Sequence, residues 1–127
     1  MVKQNKELEF INPDIESSYQ QSAMGEILYN AVLESNAKRI IDFGILNGYS
    51  TVCMAMAAKQ TGGTVYAYDL FGNYKYTNSN IKNVVENLKK YEVSNIVILQ
   101  QKDFNVWIQG TEKFDLLHVD VSNTGNV

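Results

Sequence analysis

The segment DFGILNGYS, residues 42–50, has residue types and a spacing that could bind a ligand. It follows a short apolar run and precedes a helix-like stretch. Gly44 and Gly48 let the backbone pass close to a ligand where a Cβ would block it. The N–H groups at the start of the next helix attract an anionic group, and the Ser50 hydroxyl can bond to a carboxylate or phosphate. A tight corner between a strand and a helix is the alternative interpretation.

An acidic residue lies at a distance that connects it to this turn. Asp69 closes a second apolar and aromatic run and comes 21 positions after Gly48. In sheets that bind nucleotides, an acid about 20 residues past the glycine turn meets the ribose hydroxyls. The two features together favour a ligand that contains a nucleoside over a purely structural corner.

Alternating helices and strands must position these residues. Short runs rich in β-branched or aromatic residues predict strands at 39–44, 64–69, 95–100 and 114–120. Helices are predicted from a Ser17 or Ser18 cap to Asn36, from the turn to Gly62, and along an apolar stripe from Ile81 to Tyr91. FNVWIQG, after the third strand, indicates a short helix or turn.

This pattern predicts an α/β fold. We expect a Rossmann-like, doubly wound parallel sheet that is incomplete, with about four strands in the order 3-2-1-4 and helices on both faces. Residues 1–15 are interpreted as an irregular lead-in and residues 16–127 as the cofactor-binding domain. A fourth strand at the edge would leave unpaired backbone groups. We therefore expect a C-terminally truncated domain, or a homo-oligomer or partner chain that covers this edge.

Composition excludes several classes of function. The net charge is −3 and basic residues are scattered, so no nucleic-acid partner is expected. The apolar runs are far shorter than the ~20 residues that cross a bilayer, which predicts no membrane association and a cytoplasmic location. Cys53 is the only cysteine, so neither an internal disulfide nor a multi-cysteine metal site can form.

The stretch AKRIIDFGILNGYSTVCMAMA resembles the first motif of class I S-adenosylmethionine-dependent methyltransferases. It is most similar to catechol O-methyltransferase-like enzymes that act on small molecules, whose turn has an acidic residue followed by G-x-x-x-G-Y-S. The resemblance runs from about Ser18 to Asn123 and is most specific at residues 39–58. It implies S-adenosylmethionine as cofactor and an oxygen of a small-molecule acceptor as the methylated atom.

The resemblance assigns the turn to the methionine part of the cofactor. By position, Gly44 and Gly48 line this part, and Asp42 lies near its amino group. Tyr49 and Ser50 contact its carboxylate.

The resemblance also assigns residues to the nucleoside. Asp69 would hold the ribose hydroxyls, and Leu70 or Phe71 would lie against the adenine. The loop after the third strand approaches the adenine edge in the family, which makes Gln101 and Asp103 candidates.

FDLLHVDVSN resembles the family's fourth strand, whose terminal acid lies beside the transferred methyl group and binds magnesium in metal-dependent members. Asp120 is that acid. We expect no metal site, because the family's other ligands come from a fifth strand that this sequence lacks.

Where relatives often carry a lysine or histidine base, Asn123 cannot take a proton at neutral pH. His118 shares a face with Asp120 and is a candidate base or acceptor-orienting group, with a structural histidine as the alternative.

Three functions remain open from the sequence. The first is methyl transfer to an oxygen of a small molecule. The second is a truncated, non-catalytic Rossmann-like module that acts by associating with a partner chain. The third is a dinucleotide-dependent oxidoreductase, which the absence of a G-x-G-x-x-G turn disfavours.

Overall fold

The computed structural model describes residues 11–70 and 81–120. Four parallel strands form one sheet: β1 (Arg39–Phe43), β2 (Thr64–Asp69), β3 (Val97–Gln101) and β4 (Leu116–Val119). Their order is β3-β2-β1-β4, which confirms the predicted order 3-2-1-4. Phe71 and Asn123 lie outside the described residues. Within the described part, no helix is long and apolar enough to cross a membrane.

Helices and 3₁₀ turns connect the strands. They are a 3₁₀ turn (Ser18–Gln21), α1 (Met24–Ser35), α2 (Tyr49–Thr61), α3 (Ile81–Lys90), a second 3₁₀ turn (Ser94–Ile96) and α4 (Phe104–Trp107). The second 3₁₀ turn occupies the first two residues of the predicted third strand, so β3 begins later than expected. The predicted stop of α2 is confirmed, because Gly62 takes a left-handed conformation and its N–H donates to the Ala58 carbonyl.

The first helix was predicted too long. Ser17 caps only the 3₁₀ turn, since its hydroxyl accepts from the Tyr19 N–H. Ser22 then interrupts the helix: its hydroxyl donates to the Tyr19 carbonyl and accepts from the Met24 N–H. Within α1, Leu28 and Val32 are buried, whereas Ile27 is 58% exposed.

The two faces of the sheet carry different cores. On one face, α1, α2 and α3 cover the alternating residues Ile40, Val65 and Ala67. On the other face, Phe43 contacts the rings of Tyr68, Phe104 and Trp107 at centroid distances of 5.1 to 5.2 Å. Helices therefore lie on both faces, as predicted, but among the described helices only the short α4 lies on the second.

A half-buried glutamate stabilises the packing on the second face. Glu112 accepts hydrogen bonds from the Tyr68 hydroxyl at 2.6 Å and from the Trp107 indole at 2.8 Å, and it pairs with Arg39 at 2.8 Å. Burial alone would raise the pKa of Glu112. These bonds and the nearby charges of Lys102 and Arg39 outweigh burial and lower it.

Gly25 of α1 packs closely against the N-terminal segment. A Cβ at Gly25 would lie 2.6 Å from the Ile11 carbonyl oxygen and 2.6 Å from the Tyr49 hydroxyl. Gly25→Ala is therefore expected to lower the free energy of unfolding by about 1 kcal/mol, because overpacking costs ~1–3 kcal/mol and the better helix propensity of alanine returns ~1 kcal/mol. Urea unfolding measures this loss. Gly110→Ala is the control, since its Cβ meets only the Trp107 carbonyl, at 3.3 Å. An unchanged or higher stability of Gly25→Ala would contradict the packing argument.

Candidate cofactor-binding site

The turn between β1 and α2 has a left-handed backbone that suits its glycines. Gly44 and Gly48 have φ angles of 82° and 97°, and Leu46 between them has a φ of 48°. The Gly44 N–H donates to the Tyr68 carbonyl and the Gly48 N–H to the Ile45 carbonyl. The N–H groups of the first turn of α2 follow, and such groups have no partner inside their own helix. The turn thus places backbone donors at the carboxyl end of the sheet, where open α/β sheets bind ligands.

Asp69 ends β2 beside this turn and bonds to it directly. Its Oδ2 accepts a hydrogen bond from the Ile45 N–H at 2.7 Å, and the residue is 5% exposed. The two features that the spacing connected are therefore in contact. Asp69 fixes the shape of the turn, while its role toward ribose hydroxyls stays a prediction.

Asp42 lies beneath the turn at the centre of a buried network. It is fully buried, and its Oδ2 accepts from the hydroxyls of Ser50 and Thr51, both at 2.8 Å. The strand register places it opposite His118, whose Nδ1 lies 2.8 Å from Asp42 Oδ1. Asp42 thus joins β1, the first turn of α2 and β4. Its predicted place near the cofactor's amino group stays a prediction.

The side chains of Tyr49 and Ser50 face away from the open side of the turn. The Tyr49 ring is 2% exposed and its hydroxyl donates to Asn12 Oδ1 at 2.6 Å, while burial raises its pKa to about 12. The Ser50 hydroxyl proton is donated to Asp42. A contact from either residue to a cofactor carboxylate would therefore use the backbone N–H.

His118 and Asp120 meet through a residue that the sequence interpretation missed. The Tyr19 hydroxyl donates to Asp120 Oδ2 at 2.8 Å and lies 3.1 Å from His118 Nε2. Burial, followed by the hydrogen bond and charge of Asp120, raises the pKa of Tyr19. Tyr19 precedes these partners by about 100 residues and belongs to no motif, so spacing gave no signal for it.

The environment of His118 favours its protonated form. Its side chain is 14% exposed, and burial by itself lowers the pKa. The hydrogen bond and charge of Asp42, with the charge of Asp120, outweigh burial and hold the pKa above its ordinary value of 6.5. His118 therefore has partners on both ring nitrogens, Asp42 on Nδ1 and Tyr19 on Nε2.

The turn lies in a part of the chain that matches a known protein family. A family model described as a methyltransferase domain matches residues 41–126, well over half of the chain, and this match includes the turn, Asp69 and Asp120. The chain belongs to this methyltransferase domain family. The match decides against the dinucleotide-dependent oxidoreductase. A search of curated protein sequences finds no match.

Solved structures agree with the family. A putative O-methyltransferase from Klebsiella pneumoniae shares 24% identity over 94% of this chain and 50% of its own, with a TM-score of 0.64. An SAH-bound methyltransferase from Podospora anserina shares 25% identity over 84% of this chain and 42% of its own, with a TM-score of 0.63. An O-methyltransferase from Bacillus cereus, in complex with SAH, shares 22% identity over 94% and 50%, with a TM-score of 0.62. The chain thus spans about half the length of these structures.

The region of this methyltransferase domain that is predicted to contact an adenine is described in part. Leu70 is half-buried after β2, and its carbonyl accepts from Gln101 Nε2 at 3.2 Å. Gln101 therefore bridges the ends of β3 and β2. Asp103 is exposed and caps α4 by accepting from the Asn105 N–H at 2.9 Å. The adenine contacts predicted for these residues, and for Phe71, stay predictions.

A metal centre has no support in the described part of the methyltransferase domain. Among residues 11–70 and 81–120, no three acidic, histidine or cysteine side chains are grouped so that they could hold a metal ion. Asp120 bonds there to Tyr19. A magnesium ion prefers six oxygen ligands in octahedral geometry, so Asp120 alone does not make a site.

Proposed function

We propose that this domain binds S-adenosylmethionine at the turn of residues 44–48 and at Asp69, and that the protein passes the methyl group to an oxygen of a small-molecule acceptor. The observation that carries the proposal is the hydrogen bond from the Ile45 N–H to Asp69. This bond joins the turn of residues 44–48 to Asp69, the acidic residue at the end of β2. An ordinary corner does not need a buried carboxylate from the neighbouring strand.

Each part of the cofactor has a matching group. The carboxylate of the methionine part is an anion, and the first N–H groups of α2 attract anions. The ribose hydroxyls match Asp69, whose strand end lies beside the turn. Leu70 supplies an apolar surface for the adenine, with Phe71, Gln101 and Asp103 as further candidates.

Methyl transfer makes modest demands on the protein. The sulfonium of the cofactor supplies the reactivity, so the chain mainly has to hold donor and acceptor in line. We assign the acceptor side to Asp120 and His118. Asp120 is exposed at the end of β4, whereas His118 lies behind it with both ring nitrogens engaged. Asp120 is therefore the group that would face the acceptor's hydroxyl.

The edge of the sheet gives the proposal its second part. Among the described strands, β4 pairs only with β1, and Val119 at its end is 38% exposed. We propose that a second copy or a partner chain covers this edge.

An association of this kind without catalysis is the alternative function, and a mass measurement in solution, together with a turnover assay, separates the two. A cytoplasmic location fits the composition and is part of the same proposal.

Isothermal titration tests the proposal at its core. S-adenosylmethionine and S-adenosylhomocysteine should each bind with one site per chain, because both contain the carboxylate, ribose and adenine that the site matches. NAD serves as control and should give no binding heat, since the turn lacks the G-x-G-x-x-G pattern. A folded chain that binds neither S-adenosyl compound would overturn the proposed function.

A further inference from the structure

Tyr19 lies outside every motif of the methyltransferase domain, yet it touches both candidate catalytic side chains. Its hydroxyl donates to Asp120 Oδ2 at 2.8 Å and lies 3.1 Å from His118 Nε2. Its ring meets the rings of His118 and Tyr49 edge-on, each at a centroid distance of 5.9 Å. The Tyr19 side chain, from the N-terminal 3₁₀ turn, thus connects His118 in β4 with Asp120 directly after β4.

Counting protons shows what this hydroxyl does. Tyr19 has one hydroxyl proton, and it is donated to Asp120, so the same oxygen can only accept from His118 Nε2–H. Nδ1 of the same ring donates to Asp42. If the ring were neutral and kept its proton on Nδ1, Nε2 would be a second acceptor that competes with Asp120 for the one Tyr19 proton. The direction of one O–H bond therefore connects the state of His118 with the hydrogen bonding of Asp120.

The segment before α1 holds Tyr19 in place at several points. The Asp14 N–H donates to the Tyr91 hydroxyl at 2.6 Å, and Asn12 accepts from the Tyr49 hydroxyl at 2.6 Å. Ser17 caps the turn by accepting from the Tyr19 N–H at 3.1 Å. Bonds to α2 and to the residue after α3 thus anchor the backbone around Tyr19, so its hydroxyl has a fixed position.

We propose that Tyr19 is a positioning residue, whose hydroxyl fixes the Asp120 carboxylate and the His118 ring against each other on the acceptor side of the site. The inference rests on the proposed function for its catalytic meaning. It makes the segment of residues 11–21 a part of the site, although the sequence interpretation placed residues 11–15 in an irregular lead-in.

Nuclear magnetic resonance of the imidazole tests the contact. His118 is the only histidine in the chain, so a histidine side-chain ¹H–¹⁵N spectrum reports on this ring alone. Tyr19→Phe keeps the ring and removes the hydroxyl. Tyr91→Phe is the matched control, because it removes a hydroxyl that holds the same segment, through Asp14, at a distance from His118 and Asp120.

The expected result is a loss of the Nε2–H signal, or a clear change in the Nε2 shift, in Tyr19→Phe but not in Tyr91→Phe. The binding of S-adenosylhomocysteine should stay unchanged in both variants, because neither hydroxyl belongs to the turn or to Asp69. An unchanged Nε2 signal in Tyr19→Phe would overturn the inference. Equal changes in both variants would also overturn it, because they would show that each hydroxyl only holds the N-terminal segment in place.

A second variant keeps the test valid if Tyr19→Phe does not fold. Asp120→Asn alters the group to which Tyr19 donates, so the Nε2 shift of His118 should change even at a pH where the ring stays fully protonated and the lost Asp120 charge cannot act through the pKa of the ring. No response would overturn the coupling. Failure of the wild-type chain to bind S-adenosylhomocysteine, with the Nε2 response present, would overturn the proposed function instead and leave the Tyr19 contact as a structural fact.

Discussion

Replacing Asp69 with asparagine is expected to weaken the binding of S-adenosylmethionine and S-adenosylhomocysteine about 10- to 100-fold. A hydrogen bond to a charged group contributes ~1.5–3 kcal/mol, and asparagine removes the charge that would bind the ribose hydroxyls. Asparagine retains a carbonyl oxygen that can still accept from the Ile45 N–H, so the turn should keep its shape. Isothermal titration measures the affinity, and circular dichroism checks the fold.

The matched control is Asp115→Asn. Asp115 also accepts from backbone N–H groups, those of Lys38 and Arg39 at 2.9 Å, but at the opposite end of β1. Loss of this charge should leave cofactor affinity unchanged. If Asp69→Asn bound S-adenosylhomocysteine as tightly as the wild type, Asp69 would only stabilise the turn and the ribose assignment would be wrong.

The sheet could be predicted from local signals because each strand is a short apolar run bounded by turn residues. The runs at 39–44 and 64–69 enclose α2 and its glycine stop, and the handedness of such units leaves few possible strand orders. Errors arose where a side chain competed with the backbone. The Ser22 hydroxyl bonds both to the Tyr19 carbonyl and to the Met24 N–H, and helical periodicity cannot reveal such side-chain bonds.

The sequence could predict only those contacts of the site that depend on the spacing of residues along the chain. The contact between the turn and Asp69 follows from a fixed number of residues in one strand–helix–strand unit. The sequence could not show that Ser50 and Thr51 donate to Asp42, because the orientation of a first-turn side chain depends on what is packed beneath it. Tyr19 reaches Asp120 only through the tertiary fold, so no local pattern could predict it.

Asp42→Asn is expected to destabilise the domain most strongly in mildly acidic solution. His118 has a folded-state pKa above its unfolded value of about 6.5, so its pairing with Asp42 stabilises the fold fully below that pH. This contribution is lost as pH rises through the folded pKa. Each pKa unit between the two states corresponds to ~1.4 kcal/mol. The wild type should therefore lose stability as pH rises above about 6.5 and through the raised folded-state pKa of His118, the only histidine in the chain.

Asparagine removes the charge that favours protonated His118 while keeping the size of the side chain. Near pH 6 the loss in unfolding free energy should be about 3 kcal/mol, because removing one partner of a buried pair leaves the other uncompensated. Above the folded-state pKa of His118 it should fall toward ~1 kcal/mol, the cost of weakened hydrogen bonds from Ser50 and Thr51. Urea unfolding across this range measures both values. His118→Gln is the control and should remove the pH dependence by itself. A cost of Asp42→Asn that is constant with pH would show that the Asp42–His118 pair does not set the protonation of His118. Tyr19 would then face a neutral imidazole.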